Sequence, residues 1–133
     1  MRILIAEDDF VSRKYMLKFL SKFGDCDLVV DGLEALDAFL IGMREDKPYD
    51  LICLDYMMPK VDGGKVLKSI RDFELQKGIL PDKKVKVIMT TAVAETQFVK
   101  TTFEIGCDAY AVKPIDTKKF LEVLNKIGII NDK

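Results

Sequence analysis

The sequence predicts a doubly wound α/β sandwich: a five-stranded parallel sheet in the order 2-1-3-4-5, covered by five helices. Three observations carry this expectation. Short apolar runs alternate five times with segments of helical period along 133 residues. These runs are apolar on nearly every position instead of every second one, the pattern of strands covered on both faces. Right-handed crossovers must then place helices on both sides of one sheet, and the order 2-1-3-4-5 is the smallest solution for five such units. The length, close to that of an ordinary ~150-residue domain, makes residues 1–133 one expected domain.

The first strand is read from Arg2 to Ala6. The helix after it puts Tyr15, Met16, Phe19, Leu20 and Phe23 on one face and Lys14, Lys18, Ser21 and Lys22 on another, with Gly24 as its C-cap. Cys26 to Val30 is the second strand. The second helix runs from about Gly32 to Arg44, with Leu33, Leu36, Ala38, Phe39 and Leu40 apolar, and Pro48 prevents its extension. Asp50 to Leu54 is the third strand, and Asp62 caps a third helix carrying Val66, Leu67, Ile70 and Phe73. Val85 to Thr90 is the fourth strand, followed by a helix from about Glu95 to Ile105 that stops at Gly106. Ala109 to Val112 is the fifth strand, and the last helix starts at Asp116 and buries Phe120, Val123, Leu124 and Ile127.

With 49% hydrophobic and 32% charged residues, the chain is neither disordered nor fibrous. Its 21 basic and 22 acidic side chains give a net charge of -1, so no global field would hold it on nucleic acid or on an acidic membrane. No apolar run approaches the ~18 residues of a membrane span, and Met1 leads straight into the first strand without a signal peptide. A cytoplasmic protein is expected. Cys26, Cys53 and Cys107 are odd in number, scattered and set among apolar neighbours, which reads as reduced core thiols. Histidine is absent, which removes Ser-His-Asp and Cys-His nucleophile systems, histidine zinc sites and a phosphohistidine on this chain. The chemistry must use carboxylates, hydroxyls and lysines.

In doubly wound sheets the site lies at the carboxyl ends of the strands, beside the switch in strand order. Strand one ends in Glu7, Asp8 and Asp9, strand three in Asp55, strand four in Thr90 and Thr91, and strand five in Lys113 and Pro114. Strands one and three are neighbours, so at least three carboxylates converge and repel unless a cation neutralises them. An oxygen-only ligand set with room for waters suits Mg²⁺ better than zinc. Taken singly, Asp9 reads as a helix cap and Lys113 as a solvated side chain. Together, acids, hydroxyl and ammonium fall on one rim. Asp8 competes with Asp9 for the second acid, and Thr90 with Thr91 for the hydroxyl.

The stretches Ile3-Leu4-Ile5-Ala6-Glu7-Asp8-Asp9, Asp31-Gly32-Leu33-Glu34-Ala35-Leu36, Leu54-Asp55-Tyr56-Met57-Met58-Pro59 with Asp62-Gly63, Met89-Thr90-Thr91-Ala92 and Tyr110-Ala111-Val112-Lys113-Pro114 carry a resemblance. Over essentially its whole length, the chain resembles the receiver domain of two-component response regulators, the CheY-like family, whose fold is a flavodoxin-like three-layer sandwich. The resemblance implies that Asp55 is the phosphoacceptor. It implies that Glu7 and Asp8, with Asp55 and the backbone carbonyl of Met57, hold Mg²⁺. Thr91 would be the switch hydroxyl, favoured over Thr90 by the family's Thr-Ala dipeptide, and Asp8 is selected over Asp9 by counting five residues back from Arg13. Lys113 would be the family's lysine, joined to Pro114 by a cis bond.

By the same resemblance, Tyr110 rotates inward after phosphorylation, changing the face made by helix four, strand five and helix five. The phosphoryl donor would be a histidine kinase or a histidine phosphotransfer protein, and the output would pass to a downstream protein target. Neither nucleic acid nor membrane is an expected partner, and the protein would be a monomer or a weak dimer through that face. The chain ends soon after helix five, at Lys133, which suggests a stand-alone receiver. Its chemistry would be Mg²⁺-dependent autophosphorylation and autodephosphorylation, without turnover of a substrate.

Met57 and Val93 stand two residues after Asp55 and Thr91, apolar where a polar side chain could orient a hydrolytic water. They read as tuning positions that give a slow self-dephosphorylation. Thr96, Val99, Thr101, Thr102 and Ile105 give helix four weak intrinsic helicity, as suits a switching segment. The loop from Gln76 to Lys84 is longer than the family's and reads as solvated and charged. The rival reading is a phosphatase of the haloacid-dehalogenase type, which shares a strand-end Asp, Mg²⁺, a Thr and a Lys. That mechanism needs a second Asp two residues after the first, where this chain has Met57.

Overall fold

The computed structural model describes residues 1–92 and 96–131, apart from the side chains at 96 and 98. The strands β1 (Arg2–Ala6), β2 (Asp25–Val29), β3 (Leu51–Asp55), β4 (Lys86–Thr91) and β5 (Ala109–Val112) pair in parallel in the order β2-β1-β3-β4-β5. The helices α1 (Phe10–Leu20), α2 (Gly32–Arg44), α3 (Gly63–Gln76), α4 (Thr96–Ile105) and α5 (Thr117–Lys126) alternate with them. Fold class and strand order are those the alternation of apolar runs requires.

The apolar side chains of β1, β3 and β4 divide between two cores, because successive residues point to opposite faces of the sheet. Leu4, Ala6, Ile52, Leu54, Val87 and Met89 meet Ala35 and Phe39 of α2 and Val66, Leu67 and Ile70 of α3. Their neighbours Ile3, Ile5, Leu51, Cys53, Ile88 and Ala109 meet Met16, Phe19 and Leu20 of α1 and Phe120 and Leu124 of α5. The Phe19 and Phe120 rings stand 5.7 Å apart, edge to face, and tie α1 to α5. β3, at the centre, is buried along its whole length.

Two expectations are corrected. β2 is not covered on both faces: Asp25, Asp27 and Leu28 are exposed, because an edge strand lies at the margin of both helical layers. α1 does not reach Gly24. It ends at Leu20, and the backbone N–H of Ser21 closes it on the Leu17 carbonyl at 2.9 Å. A side chain at Gly24 would come within 2.5 Å of the Met1 carbonyl oxygen, so this glycine serves the close approach of β1 and not a helix cap. Phe23, beyond the helix, still packs edge-on against Phe19. Tyr15 and Leu33, assigned to apolar faces, are partly open to solvent.

Aspartates start four helices at the carboxyl rim of the sheet. Asp9 accepts from the Ser12 N–H, Asp31 from Glu34, Asp62 from Lys65 and Asp116 from Lys118, at 2.8 to 3.0 Å. At the opposite end, Arg71 donates to the Gly106 and Val85 carbonyls, to Glu74 Oε1 at 2.7 Å and to Asp108 Oδ2 at 3.0 Å. Glu74 Oε2 accepts from the Val85 N–H at 2.9 Å. This network ties α3 to the connection before β4 and to the one before β5; the former is the expected long loop, which holds a 3-10 turn at Pro81–Lys83. Among the described residues, no helix is long and apolar enough to cross a membrane.

Candidate functional site

Glu7 directly follows β1, and Asp55 is the last residue of β3. The alternation that buries Ile3, Ile5, Leu51 and Cys53 under α1 and α5 carries Glu7 and Asp55 to the same side of the sheet. Both are 3% exposed, whereas Asp8 is open to solvent. One carboxylate oxygen from each of the three lies within 4.8 Å of the others. Gly63 makes room for this corner: a Cβ there would stand 2.5 Å from the Asp55 carbonyl oxygen, so α3 can start against the end of β3.

Lys113, one residue past β5, turns its ammonium into the cluster. It pairs with Glu7 and with Asp55 Oδ2, the latter at 3.3 Å. Three carboxylates thus face one ammonium. Burial, then the hydrogen bond and repulsion from Glu7, push the Asp55 carboxyl up to about 7, against the pull of Lys113. Burial disfavours the Lys113 ammonium, yet Glu7 and Asp55 outweigh it and hold its pKa above the ordinary value. Such an excess of carboxylates, with Glu7 and Asp55 buried and Asp8 open to solvent, fits a hard divalent cation with retained waters.

The remaining assignments separate cleanly. Asp9 caps α1 and stands outside the cluster, its carboxyl held low by the Ser12 backbone N–H, so Asp8 is the second acid. Thr91 is fully buried, on the opposite side of the sheet from Asp55, and is hydrogen-bonded to Tyr110. Tyr110 also packs into that core, and burial raises its phenol. Thr90 is the register partner of Asp55 and shares its face. The Met57 side chain is 64% exposed at the mouth, and its N–H donates to Asp55 Oδ1 at 3.3 Å. The Lys113–Pro114 bond is cis. Val93 lies outside the described residues.

Two supporting residues had no role in the sequence reading. Arg13, used there only to count back to Asp8, donates to the carbonyls of Glu7 and Asp8 at 2.9 and 3.2 Å, fixing the turn that presents both acids. Lys60 pairs with buried Asp31 at 3.3 Å, while the Gly32 N–H bonds the Pro59 carbonyl, so the loop after Asp55 is tied to the start of α2. The signal for Lys60 was only the presence of Asp31 at a cap. No local pattern pairs residues so far apart.

The chain matches the family model described as the response regulator receiver domain over residues 3–125. It is 31% identical to the chemotaxis protein CheY of Treponema pallidum over 123 residues, 91% of this chain and 78% of that protein. It is 32% identical to hybrid signal transduction histidine kinase I of Dictyostelium discoideum over 125 residues, 93% of this chain but 7% of that protein. The CheX-CheY-BeF3-Mg+2 complex from Borrelia burgdorferi contains a chain that superposes with a TM-score of 0.82 at 29% identity, covering 96% of this chain and 88% of that one. Family match, fold and rim geometry agree: the chain belongs to the response regulator receiver domain family.

Proposed function

We propose that this receiver domain, spanning residues 1–133, accepts a phosphoryl group on Asp55 from a histidine kinase or a histidine phosphotransfer protein. The observation that carries the reading is the convergence of Glu7, Asp8 and Asp55 within 4.8 Å, with the Lys113 ammonium against two of them. An Asp55 oxygen attacks phosphorus in line as the P–N bond to the donor imidazole breaks, and the bonding pair leaves with the nitrogen. Lys113 shifts from the carboxylates to the phosphoryl oxygens, where negative charge is spread in the loose transition state. Glu7, Asp8, Asp55 and the Met57 carbonyl would hold Mg²⁺, which supplies further positive charge to those oxygens. The buried, mutually repelling acids support that ligand set, and so does the Borrelia relative's complex with BeF3 and Mg+2.

The acyl phosphate adds charge and acceptor oxygens at the rim. Thr91 then turns its hydroxyl from Tyr110 towards a phosphoryl oxygen, and Tyr110 moves inward. The face of α4, β5 and α5 changes for a downstream protein target, and a weak dimer would form through the same face. The domain's own chemistry is limited to gaining and losing this phosphoryl group, in the cytoplasm, without nucleic acid or membrane as partner.

Incubation with Mg²⁺ and acetyl phosphate, followed by intact mass measurement, tests the reading. One added phosphoryl group, absent in Asp55→Asn and without Mg²⁺, is expected. Undiminished uptake in Asp55→Asn, or sustained hydrolysis of a phosphate monoester, would overturn it.

A further inference from the structure

The loop between β3 and α3 is held at both ends. Against the sheet, the Tyr56 N–H bonds the Thr90 carbonyl at 2.9 Å and the Gly63 N–H bonds the Tyr56 carbonyl at 2.8 Å. At the other end, the Val61 N–H bonds the Pro59 carbonyl at 2.8 Å across Lys60, whose φ is 70°. A γ-turn of this hand is rare and strained, and lysine lacks the freedom that lets glycine adopt it. Such an outlier persists only where its surroundings over-determine it. Here the surroundings are the start of α2. The Lys60 side chain is 62% exposed, yet its ammonium stands 3.3 Å from Asp31 Oδ2. Asp31 is buried and fixed by its cap on the Glu34 N–H at 2.8 Å, so the counter-charge cannot follow the lysine. The Gly32 N–H bonds the Pro59 carbonyl at 3.4 Å, and a Cβ at Gly32 would overlap the Val61 carbonyl, so α2 touches the loop backbone on both sides of Lys60.

We propose that Lys60 is a positioning residue for the metal: its ammonium, clamped on Asp31, sets the turn that presents the Met57 carbonyl beside Asp55, and thereby sets the affinity for Mg²⁺. The inference rests on the ligand set proposed above, in which Met57 supplies that carbonyl. Met57 already leans on the acceptor through its N–H, which donates to Asp55 Oδ1 at 3.3 Å, and only Met58 and Pro59 separate it from the clamp. Pro59 has a fixed φ, so a rotation at Lys60 passes along the loop with little slack. The sign of the effect separates a clamp from a charge. Lys60 is a cation on the loop that lines a cation site, so by charge alone its loss would strengthen Mg²⁺ binding. Loss of the clamp weakens it.

The probe is Mg²⁺ alone, titrated into the full chain while the backbone amide NMR signals of Glu7, Asp8, Asp55 and Met57 are followed, which reads metal affinity without phosphorylation. Lys60→Met should raise the dissociation constant about 5-fold, the worth of a partly exposed ion pair, and Lys60→Arg should keep it near the wild-type value. Asp31→Asn keeps a capping oxygen for α2 and removes the counter-charge. In that background Lys60→Met should leave the affinity unchanged or raise it. Unchanged or tighter binding by Lys60→Met alone, or an equal fall in the Asp31→Asn background, would overturn the clamp and leave the ligand set standing. Should Asp31→Asn fail to fold, equal affinities for Lys60→Met and Lys60→Arg would overturn it. A wild type without saturable shifts at Glu7, Asp8 and Asp55 would overturn the ligand set and the clamp together.

Discussion

Replacing Asp55 by Asn should stabilise the metal-free protein, because the acceptor carboxylate sits in a pocket assembled for a charge it cannot balance alone. Folding raises this carboxyl from 3.8 to about 7, through burial first and Glu7 second. The folded value lies above the unfolded one, so folding favours the protonated form. The associated stability is complete below pH 3.8 and is lost as pH climbs through about 7. At about 1.36 kcal/mol per unit, the loss has a ceiling of ~4 kcal/mol. Solvent reaches the pocket at exposed Asp8 and screens part of the repulsion, which leaves about 2 kcal/mol. Urea unfolding in EDTA, repeated between about pH 5 and pH 8, measures it. Asp55→Asn should unfold at higher urea than the wild type near pH 8, the difference shrinking towards pH 5. A variant that is equally stable or weaker near pH 8, or a difference that does not shrink, would refute the charge imbalance attributed to the pocket.

Arg71→Met removes four hydrogen bonds and strands Glu74, which is 1% exposed, so a loss of about 3–5 kcal/mol is expected from the urea midpoint. Adding Glu74→Leu should recover at least half, because the uncompensated charge is gone. The Tyr49 hydroxyl donates to Asp27 Oδ2 at 2.6 Å, and burial, then Asp27, push its phenol up to about 12. Its contribution is therefore intact below pH 10 and lost as pH rises through about 12, and Tyr49→Phe should flatten the alkaline decline of Tm. Met57→Asn combined with Val93→Glu should shorten the lifetime of the Asp55 acyl phosphate. Decay of the wild type as fast as that of the double variant would refute slow hydrolysis.

The sequence made the centre of this fold more legible than its margins. Leu51–Leu54 is an unbroken apolar run because β3 has a strand on each side and a helix layer on each face, so every one of these positions reports burial. β2 has one neighbour, and its Asp25 and Asp27 answer to solvent, Arg2 and Tyr49 instead of a core. Gly24 has the composition of a helix stop, and only the distant Met1 carbonyl explains it otherwise. At the site, Glu7, Asp8, Asp55 and Lys113 were readable because each sits at the end of a strand, a position that local patterning locates. Arg13, Lys60 and the Arg71 network were not, since their partners are carbonyls and carboxylates chosen by tertiary approach.

Adjacent threonines at the end of β4 show why a parallel sheet suits a switch of the proposed kind. Thr90 pairs in register with Asp55 and faces the α1 and α5 layer, where Glu7 and Lys113 meet the acceptor. Thr91 faces the other layer and is hydrogen-bonded to Tyr110 of β5. A phosphoryl group on Asp55 therefore arises on one side of the sheet, while the residues that would read it are packed on the other. The shortest mechanical path between them is the end of β4 itself, where the Tyr56 N–H bonds the Thr90 carbonyl at 2.9 Å and the Lys113 N–H bonds the Thr91 carbonyl at 2.7 Å. A shift of this strand end moves the acceptor loop and the β5 turn together. Coupling between the two layers thus needs no longer chain of contacts than two consecutive residues, whose side chains the strand geometry already sends in opposite directions.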